Sequence, residues 1–259
     1  MRRRIMMKIA VSGKGGVGKT TFSANLAKLF TREGYEVYAV DADPDASLGT
    51  TLGIPEETLA KLLPIVDMKD LIKDRLGADG AFYTLNPKVD DVLLDHSVNL
   101  DKIHFFRMGN VKQGGTACYC KENTFLHAVV NSLLLGAKET VILDMGAGIE
   151  QLTRGTARGV DILLIVTEPT KVSAQTVKVV SQLARDLGVP RIKVIGNKVR
   201  NEKEKDFLQA TFGPEELLGI LPYSDDLADA ALEEGNLDLP GGKLGAALDD
   251  VFQQIIHEV

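Results

Sequence analysis

Short apolar runs rich in Val, Ile and Leu alternate along this chain with longer stretches whose apolar residues recur at helical spacing. That alternation is the pattern of parallel strands joined by crossover helices. It predicts strands over 7–11, 36–40, 103–108, 140–143, 162–167 and 192–195. The run Ile162-Leu163-Leu164-Ile165-Val166 is apolar at every position, as expected of a strand covered on both faces, and it is too short for a buried helix. Residues 20–33 and 171–187 read as amphipathic helices, with Gly34 and Gly188 as stop signals just beyond them. Further helices are expected over 123–135 and 243–259. The expectation is an α/β fold with a doubly wound, mostly parallel sheet. No repeat, low-complexity tract or linker rich in Pro, Gly and Ser divides the 259 residues, so a single domain over 1–259 is expected. Residues 75–117 have the weakest pattern, and a long segment of that kind in a compact domain is often functional.

Composition narrows the partners. Hydrophobic residues make up 44% and charged ones 25%, enough to build a core and too apolar for a disordered chain. With 30 Lys+Arg against 36 Asp+Glu the net charge is −6, which gives no general attraction to nucleic acid or anionic lipid. The most basic stretch, 191–205, interleaves Glu202 and Glu204 and reads as a solvated face rather than a binding patch. In the terminal helix, apolar Leu244, Leu248, Val251 and Ile255 share one side while Asp249, Asp250 and Glu258 make the other side acidic, so docking onto the body is expected, not a membrane surface. Neither nucleic acid nor membrane is therefore an expected partner. Lys8 interrupts the apolar run of the N-terminus before a signal-peptide core can form, so a cytoplasmic protein is expected. Cys118 and Cys120 are the two cysteines, expected as thiols, and a disulfide scaffold is excluded.

The strongest chemical signal follows the first strand. Gly13-Lys14-Gly15-Gly16-Val17-Gly18-Lys19-Thr20-Thr21 satisfies G-x-x-x-x-G-K-[ST] in the strand-loop-helix context that the pattern requires. Glycines let successive backbone N–H groups turn inward around phosphate oxygens, and the next helix adds its N-terminal dipole. Lys19 is expected to neutralise β- and γ-phosphates, and the Thr20 hydroxyl to meet Mg²⁺. Asp41-Ala42-Asp43-Pro44-Asp45, after the second strand, brings together three carboxylates that repel one another unless a cation or water lies between them. Asp43 is the candidate for orienting or deprotonating the attacking water, and Asp41 for supporting the Mg²⁺ shell. The strand ending at Asp144, followed by Gly146-Ala147-Gly148, fits a Walker B aspartate and a mobile Gly-rich switch II.

Lys14, one residue after the first glycine, gives the loop a deviant form. This resembles the P-loop ATPases that include MinD, ParA and the nitrogenase iron protein, and Asp41-Ala42-Asp43-Pro44-Asp45 resembles the D-x-D-P first switch of that group. The resemblance implies binding of ATP and ADP with Mg²⁺, ATP hydrolysis, and a homodimer in which Lys14 reaches the partner's nucleotide. It also implies that Asn197-Lys198 reads adenine and that the loop Leu221-Pro222-Tyr223-Ser224 flanks the base, with Pro222 against it. Physically, a second cation delivered to the γ-phosphate across an interface acts as an arginine finger does.

Cys118-Tyr119-Cys120 supplies two thiolates too close for an unstrained disulfide but suited to one soft or borderline metal. Two ligands are too few, and two copies of the pair around a two-fold axis give an S₄ site, tetrahedral for Zn²⁺ or square-planar for Ni²⁺. The C-x-C between the two switches, with Asp144-Met145-Gly146-Ala147-Gly148-Ile149-Glu150 and Leu152-Thr153-Arg154-Gly155-Thr156-Ala157, resembles the CooC-type accessory ATPases that assist nickel insertion into carbon monoxide dehydrogenase. That resemblance implies a metallochaperone carrying Ni²⁺ (or Zn²⁺) on Cys118 and Cys120, with apo carbon monoxide dehydrogenase or acetyl-CoA synthase as client; residues 75–117 are expected to meet that client because they lead into the metal loop. Two alternatives from the same group are a MinD- or ParA-like positioning ATPase and an iron–sulfur electron donor. The second fits less well, because the iron protein's two ligands per subunit lie far apart in sequence whereas Cys118 and Cys120 are nearly adjacent.

Overall fold

The computed structural model describes residues 7–76, 96–109, 128–129, 140–149, 152, 157, 159–230 and 239–258. The strands are β1 (Lys8–Gly13), β2 (Val37–Ala42), β3 (Val98–Leu100), β4 (Ile103–Arg107), β5 (Thr140–Met145), β6 (Ile162–Thr167), β7 (Ile192–Val199) and β8 (Leu217–Pro222). They form one sheet in the order β3-β4-β2-β5-β1-β6-β7-β8. All neighbours are parallel except β3, which runs antiparallel to β4 at one edge. The mostly parallel sheet expected from the apolar runs is present. Every residue of β1, β2, β5 and β6 is buried, the signature of strands covered on both faces.

Helices cover both sides of that sheet. On one face lie α1 (Lys19–Arg32) and the terminal helix; on the other lies α5 (Lys171–Leu187), with separate apolar clusters beneath them. Between α1 and α5 come short helices α2 (Leu48–Thr51), α3 (Glu56–Lys61) and α4 (Lys69–Leu76); after α5 come α6 (Glu202–Glu216), α7 (Asp225–Ala230) and α8 (Gly242–Glu258). α5 matches its expected span. The Thr170 hydroxyl caps it by accepting from the Ser173 N–H at 3.2 Å, and Gly188 ends it in the left-handed region with φ 88°.

Some boundaries differ from expectation. β4 stops at Arg107 rather than at 108, and β7 runs on to Val199 across a register shift against β8. Part of the weakly patterned 75–117 segment is strand, since β3 and β4 both lie in it. The helix expected over 123–135 has only Ala128 and Val129 inside the described residues, both helical and buried.

α8 docks on the body as its acidic polar side suggested. Leu244, Leu248, Val251, Phe252 and Ile255 are buried, and Phe252 meets Phe30 of α1 edge-on at 4.9 Å. The acidic side pairs inward: Asp249 with Arg32 and Glu258 with Lys193, each at 2.6 Å. Among the described residues no helix is long and apolar enough to cross a membrane. Phe252→Ala removes a buried ring from this junction and is expected to cost about 3–5 kcal/mol of unfolding free energy. Urea denaturation monitored by circular dichroism reads that loss; a change under 1 kcal/mol would mean that α8 is not part of the cooperative core.

Candidate active site

A parallel sheet binds ligands outside the carboxyl ends of its strands, where the strand order reverses. Here the chain runs from β1 out to β2 on one side and later places β6 on the other. The loop from Gly13 to Lys19 occupies that crevice. Gly13 has φ 147°, and a Cβ there would collide with the Val166 carbonyl of β6, so the loop leaves the sheet through a position open only to glycine. Gly16 and Gly18 also have positive φ, and a Cβ added at Gly15 or Gly16 would meet nothing, which leaves open space over the cradle. Gly18 caps α1 without any side-chain hydrogen bond, so the first amides of α1 are left for an outside acceptor. Open space beside a helix N-terminus whose first amides lack a side-chain cap fits a polyphosphate.

The two loop lysines differ in setting. Lys19 is buried, with its ammonium 3.5 Å from the Lys14 carbonyl and 3.8 Å from Asp43 Oδ2. Lys14 is exposed. Asp43 Oδ1 accepts from the Asp45 N–H at 3.1 Å, an Asx turn that fixes the acidic loop beside Lys19. A Cβ placed on Gly146 of switch II would lie 3.5 Å from Pro44 and 3.8 Å from Asp43, so the two switch segments run close to each other.

Asp41 and Asp144 lie in register on adjacent strands β2 and β5, and both are buried. Burial pushes the Asp144 carboxyl up to about 6, opposed by hydrogen bonds from Thr20 and Ser23 and by the Lys19 charge. Burial, reinforced by the neighbouring Asp144, pushes Asp41 up to about 7. Asp41 is more committed than expected: its Oδ2 accepts from the Leu48 N–H at 3.0 Å and its Oδ1 from the Asp43 N–H at 3.3 Å, so it shapes the first switch loop. Asp144 Oδ1 accepts from Ser23 Oγ at 2.9 Å, while its Oδ2 is buried without a partner. An orphaned carboxylate oxygen beside the Thr20 hydroxyl fits a cation-bound water. Among the described residues no group of three or more His, Cys, Asp or Glu is arranged around a metal. A Mg²⁺ here would accordingly be held by Thr20, nucleotide phosphates and water, with Asp144 behind them.

Beside the phosphate loop lies a cavity of about 320 Å³ lined by Thr21, Asn197, Pro222, Tyr223, Leu227 and Leu244, among others. Asn197 lines this cavity, and its amide N–H₂ donates one hydrogen to the Val17 carbonyl at 2.8 Å, which leaves the second hydrogen and the amide oxygen for a ligand. Lys198 departs from the solvated face expected of 191–205. It adopts φ 58° and turns inward, donating to the Gly16 carbonyl at 2.6 Å and to Glu168 Oε1 at 2.8 Å. It braces the phosphate loop. Pro222 and Tyr223 lie at the pocket, and Arg200 stacks over the Tyr223 ring at 4.1 Å.

Several participants carried no sequence signal: Ser12, Ser23, Glu168, and Arg107, whose charge favours ionised Asp41 from the end of β4. Cys118 and Cys120 lie outside the described residues.

Residues 8–237 match the family described as CobQ/CobB/MinD/ParA nucleotide binding domain. The carbon monoxide dehydrogenase accessory protein CooC of Rhodospirillum rubrum is 42% identical over 232 residues, covering 88% of each chain. An uncharacterized ATP-binding protein of Methanocaldococcus jannaschii is 38% identical over 257 residues, covering 96% of this chain and 98% of that one. Among solved structures, a ParA family ATPase from Chlorobium tepidum superposes with a TM-score of 0.71 at 19% identity, covering 97% of this chain and 99% of that one, and so shares the fold.

The paired carboxyls set a pH dependence. Because Asp41 titrates near 7 when folded and near 3.8 when unfolded, the folded protein holds its proton more tightly. The associated stability is present below about pH 4 and is lost as pH rises through about 7. In EDTA and without nucleotide, the melting temperature is expected to fall between about pH 5 and about pH 8, and Asp41→Asn, which cannot ionise, to flatten that fall. Scanning calorimetry reads both, and an unchanged slope in the variant would assign the titration to another group.

Proposed function

Because this chain belongs to the CobQ/CobB/MinD/ParA nucleotide-binding family, we propose that it is a maturation ATPase that delivers nickel to apo carbon monoxide dehydrogenase, or to acetyl-CoA synthase. The observation that carries this reading is the 42% identity to the CooC accessory protein over 88% of both chains, in a sequence that also contains Cys118-Tyr119-Cys120.

The chain is an ATPase, and its residues divide the work. Amides of the Gly13–Lys19 loop cradle the phosphates, and buried Lys19 meets the β,γ-phosphates with its charge already in place. Bound Mg²⁺ neutralises developing phosphate charge. Asp43, 3.8 Å from the Lys19 ammonium and close to the Gly146 backbone, stands where it can hold the attacking water. Lys14, exposed at the mouth of the site, is free to reach a second subunit's nucleotide. In that dimer two C-x-C pairs meet and give one Ni²⁺ (or Zn²⁺) four thiolates. The γ-phosphate favours the closed dimer. Hydrolysis removes that contact, so the shared site opens, loses half its ligands and releases its cargo.

Asp43→Asn is expected to lower kcat about 100-fold or more with nucleotide affinity retained, as loss of a positioned base does. Lys14→Ala is expected to lose on the order of 10³-fold in turnover, the scale of a missing arginine finger. Phosphate release alongside nucleotide titration separates the two effects. Near-normal turnover in Lys14→Ala would remove the cross-subunit role.

The metal reading is tested by titrating anaerobic, reduced protein with Ni²⁺ while following thiolate charge-transfer absorption and oligomeric mass. One Ni²⁺ per dimer is expected for the wild type and none for the Cys118→Ala/Cys120→Ala variant. A wild type that dimerises with ATP yet takes up no metal would overturn the metallochaperone reading in favour of a positioning ATPase.

A further inference from the structure

Ser12 is the last side chain before the phosphate loop, and it is fully buried in a strand whose preceding residues Ile9, Ala10 and Val11 are apolar. A hydroxyl in such a place costs free energy unless it is hydrogen-bonded. Its Oγ lies 2.8 Å from the Gly148 carbonyl and 3.4 Å from the Gly146 carbonyl. One hydroxyl proton thus serves both ends of Gly146-Ala147-Gly148, the segment that follows the buried Asp144. Two glycines in three residues make that segment expensive to order, since each residue fixed costs about 1–2 kcal/mol of backbone entropy. A Cβ placed on Gly146 would come within 3.8 Å of Asp43 and Pro44, so the segment also runs close to the acidic loop after β2.

We propose that Ser12 is a positioning residue for γ-phosphate recognition: its hydroxyl pre-orders Gly146–Gly148, so that the second switch meets the terminal phosphate with its backbone already arranged. Ser12 touches neither phosphate nor base in this role. ADP is held by the Gly13–Thr20 loop and the base pocket, which do not depend on the Ser12 bond. ATP additionally engages the switch segments, which is the general way in which a γ-phosphate is sensed. Loss of the hydroxyl therefore weakens ATP binding selectively. A neutral buried hydrogen bond is worth a factor of about five in an equilibrium.

This inference rests on the ATPase reading, and one titration series distinguishes their failures. Affinities for ADP and for the non-hydrolysable β,γ-imido analogue of ATP, both with Mg²⁺, are measured by calorimetry on the wild type, Ser12→Ala and Ser12→Cys. The expected result is an ADP affinity unchanged in all three and an analogue affinity about fivefold weaker in Ser12→Ala. Cysteine, similar in size but a poorer donor, is expected to fall between them, and it carries the test if the alanine variant does not fold. Faster amide exchange at 146–149 in the variants accompanies the change. A preference for the analogue over ADP that survives both substitutions would reduce Ser12 to a packing residue and overturn the proposal alone. Weaker binding of both nucleotides by the same factor would overturn it too. A wild type that binds neither nucleotide would overturn the ATPase reading and this proposal together.

Discussion

Asp41 and Asp144 are paired across adjacent parallel strands, both carboxyls are out of contact with water, and both hold their protons well above the ordinary carboxylate range. Paired strands stand about 4.8 Å apart, and two unit charges at about 5 Å repel by about 3 kcal/mol at an effective dielectric near 20. That repulsion exceeds what a surface ion pair returns. The carboxyl edge of the sheet is arranged around it. Ser23 donates to Asp144 with the Thr20 hydroxyl nearby, the Leu48 and Asp43 amides donate to Asp41, and Arg107 and Lys19 supply positive charge nearby. One oxygen of Asp144 is still left over. The centre of the sheet is electrostatically incomplete in a direction that a proton or a cation corrects, and the phosphate cradle beside it brings a cation with its ligand.

What was legible in the sequence follows from how local each cause is. β1, β5 and β6 are buried on both faces, so their apolar runs announce them without reference to the rest of the chain. β3 is three half-exposed residues at a sheet edge, and β8 mixes half-buried positions with Gly219 and Pro222; neither has a pattern to read. The phosphate loop was legible because its geometry is written in consecutive glycines. The inward turn of Lys198 was not, because its carbonyl partner Gly16 lies 182 residues away. Ser12 and Ser23 are ordinary serines until the fold places Gly148 and Asp144 opposite them, 136 and 121 residues distant.

The same long-range contacts brace this loop where glycine-rich segments are otherwise soft. Asn197 holds the Val17 carbonyl and Lys198 the Gly16 carbonyl, so two successive residues of β7 clamp two successive residues of the cradle. Lys198 adopts a left-handed backbone to do so, a conformation that side chains other than glycine take up at a cost. Its ion pair with Glu168 ties the clamp to the segment entering α5. Carbonyls turned outward to Asn197 and Lys198 leave the amides of the loop facing the phosphate side, which is the condition for anion binding.

Within the proposed dimer, the difference in burial between the two loop lysines becomes a difference in task. Lys19 has already lost most of its water and is held by the Lys14 carbonyl and Asp43, so little reorganisation remains when phosphate arrives. Lys14 keeps its hydration and its freedom as long as the subunit is alone. Its charge strengthens at a phosphate only when an opposing surface excludes water, because the same Coulomb interaction grows as the local dielectric falls. One lysine therefore serves binding in every subunit, while the other acts only where two subunits meet. Under the proposed function, hydrolysis is thereby tied to the closed assembly.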